Sequence, residues 1–252
     1  MGRDRACVAR GLAARTPPVR VDVIIPALNE EQALPRVLAA IPRPPVRRVV
    51  VADNGSTDRT AEVARAGGAE VVHQPEKGYG AACLEALAHL RSDPPEVVVF
   101  LDGDYSDHPE ELPRLLAPLG AGADLVIGSR VRGRLQRGAL TPQQRVGNAI
   151  ACVALRALYG ARYTDLGPFR AIRWEALERL GMRDRNFGWT VEMQIKAAQR
   201  GLRHAEVPVS YRPRVGTSKV SGTLRGSVGA GAKILWLLAR HTRAPHPGAN
   251  AR

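Results

Sequence analysis

Cysteine is scarce in this chain of 252 residues: Cys7, Cys83 and Cys152 lie far apart, with no C-x-x-C pair and no histidine cluster beside them. That spacing argues against a disulfide framework and a structural zinc site, and it points to a reducing compartment. Aromatic residues make up only 4%, too few to suggest a stacking platform for single-stranded nucleic acid. Long apolar runs are missing as well. No window reaches the roughly 20 uninterrupted apolar residues of a membrane span, and the nearest stretch, 226–239, is broken by Lys233 and three Gly. The N-terminal residues MGRDRACVARGLAARTPPVR hold no apolar core of a secretory signal. They read as a basic flexible tail over 1–20. Neither an internal repeat nor a low-complexity block is visible.

What is present is an ordinary globular apolar fraction of 44% and a formal net charge of +13. The charge is unevenly placed. Residues 1–20 carry five Arg against one Asp, and 200–252 carry ten Lys or Arg against one Glu. The stretch 21–199 balances at 22 against 22, yet 21–125 has 9 basic and 17 acidic residues while 126–199 has 13 and 5. A basic surface reads as affinity for nucleic acid or an anionic membrane, or as a merely solvated Arg-rich face.

From Val21 onward, short β-branched runs alternate with helix-like segments. VDVII (21–25), RVVVA (48–52), AEVVH (69–73), EVVVFL (96–101) and DLVIG (124–128) are nearly continuous in apolar character, as strands buried on both faces are. The segments between them, at about 29–40, 57–66, 79–91 and 109–118, are long enough to be crossover helices. The alternation predicts an α/β fold with a mostly parallel central sheet flanked by helices, and ligands at the carboxyl ends of its strands. After Gly128 the rhythm stops. Residues 129–143 read as a long flexible loop, 142–158 as a helix, and the stretch to about 208 as mixed. A basic Gly-containing loop (211–222), an amphipathic helix (223–243) and a disordered tail (244–252) complete the chain.

Acids gather where the strands end. After the first run comes Pro26-Ala27-Leu28-Asn29-Glu30-Glu31, with Asn29 suited to cap a helix. Asp53 follows the second run, with Ser56 or Thr57 placed to cap the next helix; its carboxylate suits either a turn or a nucleobase or ribose. The fourth run ends in Asp102-Gly103-Asp104, two carboxylates with a Gly between them that lets a ligand approach. Hard oxygen ligands at this density suit Mg²⁺ or Mn²⁺, held by one or two carboxylates together with substrate phosphates. GYGAAC (78–83) looks like a dinucleotide fingerprint, but it follows the third strand and has Cys83 where Gly or Ala is wanted. Lys77 before that helix suits a phosphate, with helix N-terminal N–H groups assisting, or is a simple loop residue.

PALNEE, VADNGSTD, LDGDYSDHPEEL and Gly128-Ser129-Arg130, in this order and spacing, resemble the family 2 glycosyltransferases with the GT-A fold. Within that family the likeness is to the dolichol- and polyprenyl-phosphate sugar synthases, and it runs from about Val21 to Lys219. The resemblance implies a GT-A domain over 21–222, with a nucleotide-binding half (21–128) and an acceptor half (129–222). It implies that Pro26, Leu28, Glu30 and Asp53 surround the nucleotide, that Asp102 and Asp104 hold metal and diphosphate, and that Arg130 contacts the ligand near the reacting centre. Asn54, where a second Asp is common, leaves base recognition open; Ser106, where Gln often stands, leaves the metal's outer contact open.

The second half carries the same likeness. Thr164-Asp165-Leu166-Gly167-Pro168-Phe169-Arg170 resembles the segment beneath the donor sugar. Asp165 is therefore a candidate sugar ligand or base, or a partner of Arg170. Glu192, in Phe187-Gly188-Trp189-Thr190-Val191-Glu192, leads into an amphipathic helix ending near Arg200 and is a candidate to face the acceptor, or a buried ion-pair partner of an Arg. Arg212, Arg214 and Lys219 lie in a segment that resembles the family's Arg-x-Gly-x-Ser-Lys loop and suit a diphosphate or lipid phosphate.

The expected activity is inverting, metal-dependent transfer of a sugar from a nucleotide-diphosphate sugar to a polyprenyl phosphate or other membrane-associated acceptor. The alternatives are transfer to a soluble or secondary-metabolite acceptor, and a non-enzymatic nucleic-acid binder supported by net charge alone. No nucleic-acid partner is expected. The expected location is cytoplasmic, at the inner face of the membrane. There an anionic surface or an integral-membrane partner would complete the encounter, with Val228, Ala232, Leu235 and Leu238 on the apolar face of the last helix.

Overall fold

The computed structural model describes residues 19–216. Seven strands form one sheet: β1 (Val21–Ala27), β2 (Val46–Asp53), β3 (Glu70–His73), β4 (Val97–Phe100), β5 (Leu125–Ser129), β6 (Arg170–Arg173) and β7 (His204–Pro208). The helices are α1 (Leu34–Ala40), α2 (Thr60–Ala66), α3 (Tyr79–Leu90), α4 (Leu112–Gly120), α5 (Pro142–Tyr159), α6 (Trp174–Leu180) and α7 (Trp189–Gln199). The strand order is β3-β2-β1-β4-β6-β5-β7, parallel except for β6, which runs antiparallel to both neighbours. This is the mostly parallel sheet that the alternating pattern predicts. Among the described residues no helix is long and apolar enough to cross a membrane.

Four of the five β-branched runs become interior strands because both faces of the sheet are covered; the run at 69–73 instead forms β3, an edge strand that is only half-buried. Ile24, Val50, Val98 and Phe100 pack with α3, α6 and α7 on one face. On the other, Val23, Ile25, Val49 and Val99 pack with α1 and α4. Truncating a fully enclosed ring such as Phe100 costs about 3–5 kcal/mol. β1 lies between β2 and β4, with Ala27 opposite Asp53 and Ile24 opposite Phe100. That register carries the residues after β1, β2 and β4 to one edge of the sheet.

Several local expectations change. Asn29 does not cap α1, which starts only at Leu34; it takes the left-handed conformation (φ 54°) and its amide N–H donates to Ser56 Oγ. Its side-chain oxygen in turn accepts from the Thr57 amide at 2.8 Å, so Ser56 and Thr57 tie two loops together and do not cap α2. Residues 109–118 begin as a single 3-10 turn at Pro109–Glu111 before α4. The mixed stretch resolves into β6, α6, α7 and β7. The loop before α5 is pinned, since the Gln136 amide donates to Tyr211 and the Tyr211 amide to Arg134. α7 is buried along most of its length and is not the amphipathic helix expected. Most of the 1–20 tail, Lys219, the 223–243 helix and the 244–252 tail lie outside the described residues.

Candidate active site

At the carboxyl edge of the sheet, the loops after β1, β4 and β5 meet the starts of α3 and α7 around a cavity of about 520 Å³. That size suits a nucleotide-sized ligand. Pro26, Leu28, Glu30, Lys77, Asp102, Gly103, Asp104, Arg130 and Arg214 all line it. Four of the chain's eleven aromatic residues line it too: Tyr79, Phe187, Trp189 and Tyr211. A chain poor in aromatics has concentrated them where a sugar ring or base would need an apolar face.

The acidic corner is built from the loop after β4. Asp104 is buried; its Oδ1 accepts from the Ser106 amide at 2.9 Å and from Ser106 Oγ, and its Oδ2 accepts from the Arg214 guanidinium. Ser106 therefore fixes Asp104 in place. Tyr79 donates its hydroxyl to Asp102 at 3.1 Å. Asp102 is half-buried and lines the cavity. Burial first, and then the neighbouring Asp104 charge, push it up to about 7, against the pull of Arg214, the Tyr79 hydroxyl and Arg130. Asp107 adds a third carboxyl, fully buried and raised well above its ordinary range by burial and by Asp102 and Asp104. Neither of its oxygens accepts a hydrogen bond of ordinary geometry, the Asp102 amide offering only a weak contact.

These features fit a divalent cation. The donors are hard oxygens, negative charge is in excess, and a guanidinium already stands as counter-ion on Asp104. Among the described residues no three His, Cys, Asp or Glu side chains form a complete metal cage, so ligand phosphates would have to supply the remaining coordination.

Arg130 is anchored by Asp165. Its amide and Nε donate to Oδ2 at 2.7 and 2.9 Å, and Nη2 donates to Oδ1 at 2.7 Å. Burial opposes the guanidinium charge, but hydrogen bonding to Asp165 and its charge outweigh that and raise the arginine above its ordinary value. Asp165 is fully buried, lies outside the cavity lining, and pairs with Arg130 and not with Arg170. Its carboxylate orients Arg130 and, unlike the sugar-facing acid expected from the sequence, does not line the cavity. Arg170 is held by the carbonyls of Leu166, Gly167 and Thr190, and burial lowers it to about 10.

Glu192 also differs from expectation. Its carboxylate accepts from the Arg183 and Asp184 amides, the latter at 2.7 Å, and pairs with Lys196 at 2.7 Å. It closes the 183–184 turn and does not line the cavity. Its ion-pair partner is a Lys, not an Arg. The turn it closes packs onto α3, where a Cβ on Gly80 would lie 1.9 Å from the Asp184 carbonyl. The Gly80 and Ala81 amides donate to the Asn186 and Arg185 carbonyls. The start of α3 is thus occupied by this segment, and the glycines of GYGAAC serve that contact instead of a phosphate.

Asp53 accepts from the Ser56 amide at 3.0 Å and lies outside the lining, whereas Asn54 lines the cavity. Asn54 donates to the Gln74 and Glu76 carbonyls at 3.0 and 2.7 Å and accepts from the Gly78 amide at 2.7 Å. A carboxylate could not make both donations, which gives the departure at this position a physical reason. Arg212 is committed as well: it donates to the Tyr105 and Asp107 carbonyls and stacks on the Tyr105 ring at 3.5 Å. It fastens the 211–215 segment to the acidic loop, leaving Arg214 as the cavity-lining arginine of that segment.

A mostly parallel sheet with paired carboxylates beside a nucleotide-sized cavity is what the resemblance to GT-A nucleotide-sugar transferases leads one to expect. The chain belongs to glycosyl transferase family 2, whose family model matches residues 22–181. It is a glycosyltransferase. An uncharacterized glycosyltransferase of Mycobacterium tuberculosis is 45% identical over 210 residues, covering 82% of this chain and 93% of that protein. A dolichyl-phosphate hexose transferase of Haloferax volcanii is 39% identical over 202 residues, covering 79% and 85%. Among solved structures, glucosyl-3-phosphoglycerate synthase from Mycobacterium tuberculosis, in complex with Mn²⁺, UDP and glucosyl-3-phosphoglycerate, superposes with a TM-score of 0.72. It is 26% identical, with 91% of this chain and 82% of that one covered.

Proposed function

We propose that the protein moves a sugar, with inversion at C1, from a nucleotide-diphosphate sugar to a polyprenyl phosphate or other membrane-associated phosphate acceptor, using Mg²⁺ or Mn²⁺, at the inner face of the membrane. The observation that carries this reading is the Asp102–Asp104 pair with Arg214 as counter-ion on Asp104, at the edge of a cavity lined by both halves of the chain. A divalent ion there would neutralise negative charge on the diphosphate. Arg214, released from Asp104, would meet the leaving diphosphate. Arg130, oriented by Asp165 through Nε and Nη2, would present Nη1 near the reacting carbon. As the acceptor's phosphate oxygen forms its bond to C1, the bond from C1 to the diphosphate oxygen breaks and the nucleoside diphosphate departs with the electron pair.

Nothing in this step requires a strong base. Asp165 and Glu192 are both locked in ion pairs, which disfavours an alcohol acceptor and suits a phosphate, already an anion at pH 7. The 39% relative whose name specifies dolichyl phosphate supports a lipid carrier. The glucosyl-3-phosphoglycerate synthase likeness supports a soluble phosphorylated acceptor as the second reading.

Thermal shift with UDP-, GDP- and dTDP-sugars plus Mn²⁺ identifies the donor, because a bound ligand stabilises by mass action. Turnover of that donor onto polyprenyl phosphate then tests the acceptor. Product retaining the donor's anomeric configuration would overturn the inverting mechanism.

A further inference from the structure

α5 is built to be stable on its own terms and yet leaves an apolar face uncovered. Thr141 and Gln144 form a reciprocal cap at its start, and Gly160 closes its end in the left-handed conformation. Ala151, Cys152 and Leu155 turn inward. Outward at helical spacing stand Val146, Ile150 and Val153, exposed by 59, 53 and 68%, with Ala157 continuing the stripe and Leu158 beside its end. Four of the seven large exposed hydrophobics of the described residues lie on this one helix, and contiguous patches of that kind mark interaction surfaces.

The rim of the patch identifies the partner. Arg145 and Arg156 flank the stripe on one side and are exposed. From Leu125 to Thr164 the sequence has no Asp or Glu, while Arg occurs at 130, 132, 134, 137, 145, 156 and 162. A second copy packed face to face would bring two cationic rims together. An anionic bilayer surface satisfies the apolar stripe and the arginines at once. α5 is also part of the active site, since Gln144 in its first turn lines the cavity along with the exposed Phe187.

We infer that the outer face of α5, Val146, Ile150 and Val153 with Arg145 and Arg156, is the surface by which this enzyme rests on an anionic lipid bilayer, bringing the cavity to the membrane interface. The inference rests on the lipid-phosphate reading of the site and locates its membrane contact on α5, not on 223–243 alone.

Flotation of the full chain with vesicles of equimolar phosphatidylglycerol and phosphatidylcholine, against phosphatidylcholine alone, tests it. Wild type should float with the anionic vesicles. The double variant R145Q/R156Q should partition roughly 25-fold more weakly, at about fivefold per charge removed, and I150E/V153E at least as weakly, since it adds two negative charges and withdraws two apolar side chains from the contact. Thermal shifts with nucleotide sugar and Mn²⁺ should match wild type in both, showing that fold and donor site are intact. An environment-sensitive dye on V153C should shift to the blue only when anionic vesicles are added. Failure of the wild type to float, unchanged partition of the variants, or a dye already shifted without vesicles would overturn the inference. So would a dimer in solution that I150E/V153E dissociates. Vesicle binding without any nucleotide-sugar binding would leave the membrane surface standing and refute the enzyme reading instead.

Discussion

Replacing Asp165 by Asn separates a base from a positioning residue. In the native chain the carboxylate takes three hydrogen bonds from Arg130, two on Oδ2 and one on Oδ1. Asn keeps one acceptor oxygen; wherever it sits, its NH₂ group faces a guanidinium or amide donor, and the charge that balances Arg130 is gone. Asp165 is fully buried and Arg130 is nearly so, with 12% of its side chain exposed, so solvent does little to relieve the loss. Breaking a buried pair from one side costs about 3–5 kcal/mol. For a domain of this size, each kcal/mol lowers Tm by roughly 2–4 °C. A fall on the order of 10 °C is therefore expected in a calorimetric or circular-dichroism melt. Turnover should fall too, because Arg130 loses its orientation, while the shape of the pH–rate profile should persist. Adding Arg130→Met should cost less than the sum of the single changes, since it removes the stranded charge. If Asp165→Asn melted within about 2 °C of wild type yet erased the acidic limb of the profile, the positioning role would be refuted.

Asp104→Asn should reduce transfer by roughly a hundredfold or more, read as initial rate at saturating donor, because it removes the charge at the phosphate end of the site. Mn²⁺ binding followed by calorimetry should release a proton and strengthen about tenfold per pH unit until about pH 7, then level off, because the ion needs Asp102 deprotonated. The same shift acts on stability. The folded carboxyl holds its proton up to about 7 and the unfolded one only to about 3.8, so this group's contribution to stability is present at low pH and lost as pH rises between those values. Metal-free melts across that window should show the decline, and Asp102→Asn should reduce it to the part contributed by Asp107. Asn54→Asp should lower stability by about 2–5 kcal/mol in denaturant titration, since two carbonyls lose their donor and gain a facing carboxylate.

β1, β2, β4 and β5 are legible because burial on both faces leaves a continuous apolar signature; β3, at the sheet edge and only half-buried, shows itself by the Val71-Val72 pair alone. β6 and β7 are not legible. Arg170 begins a four-residue strand, and its burial depends on carbonyls from 166, 167 and 190, which no local pattern reveals. The acidic pair after β4 could be read because an apolar run ending in Asp-x-Asp has few other uses. Asp165 and Glu192 looked equally catalytic because a sequence shows an acid but not its partner, and the partner of Asp165 stands 35 positions away. Arg212 and Arg214 could not be told apart for a similar reason: one turns to Tyr105 and the other to Asp104. Tyr79 and Trp189 carry no motif of their own; an aromatic at the first turn of a helix beside the sheet edge is the signal that finds them.

The antiparallel insertion of β6 constrains the order in which the chain can fold during synthesis. β5 reaches the rest of the sheet only through β6, which follows it in the chain across the whole of α5. When Ser129 leaves the ribosome, β1 to β4 can already pair, but β5 has no hydrogen-bonded neighbour. It must wait for Arg170–Arg173 to arrive between it and β4. Expressed alone, residues 21–128 would present the bare edge of β4 and an apolar β5 without a seat. Residues 21–128 and the strands that follow them are therefore a single folding unit, and separately expressed pieces should aggregate instead of assembling as modules.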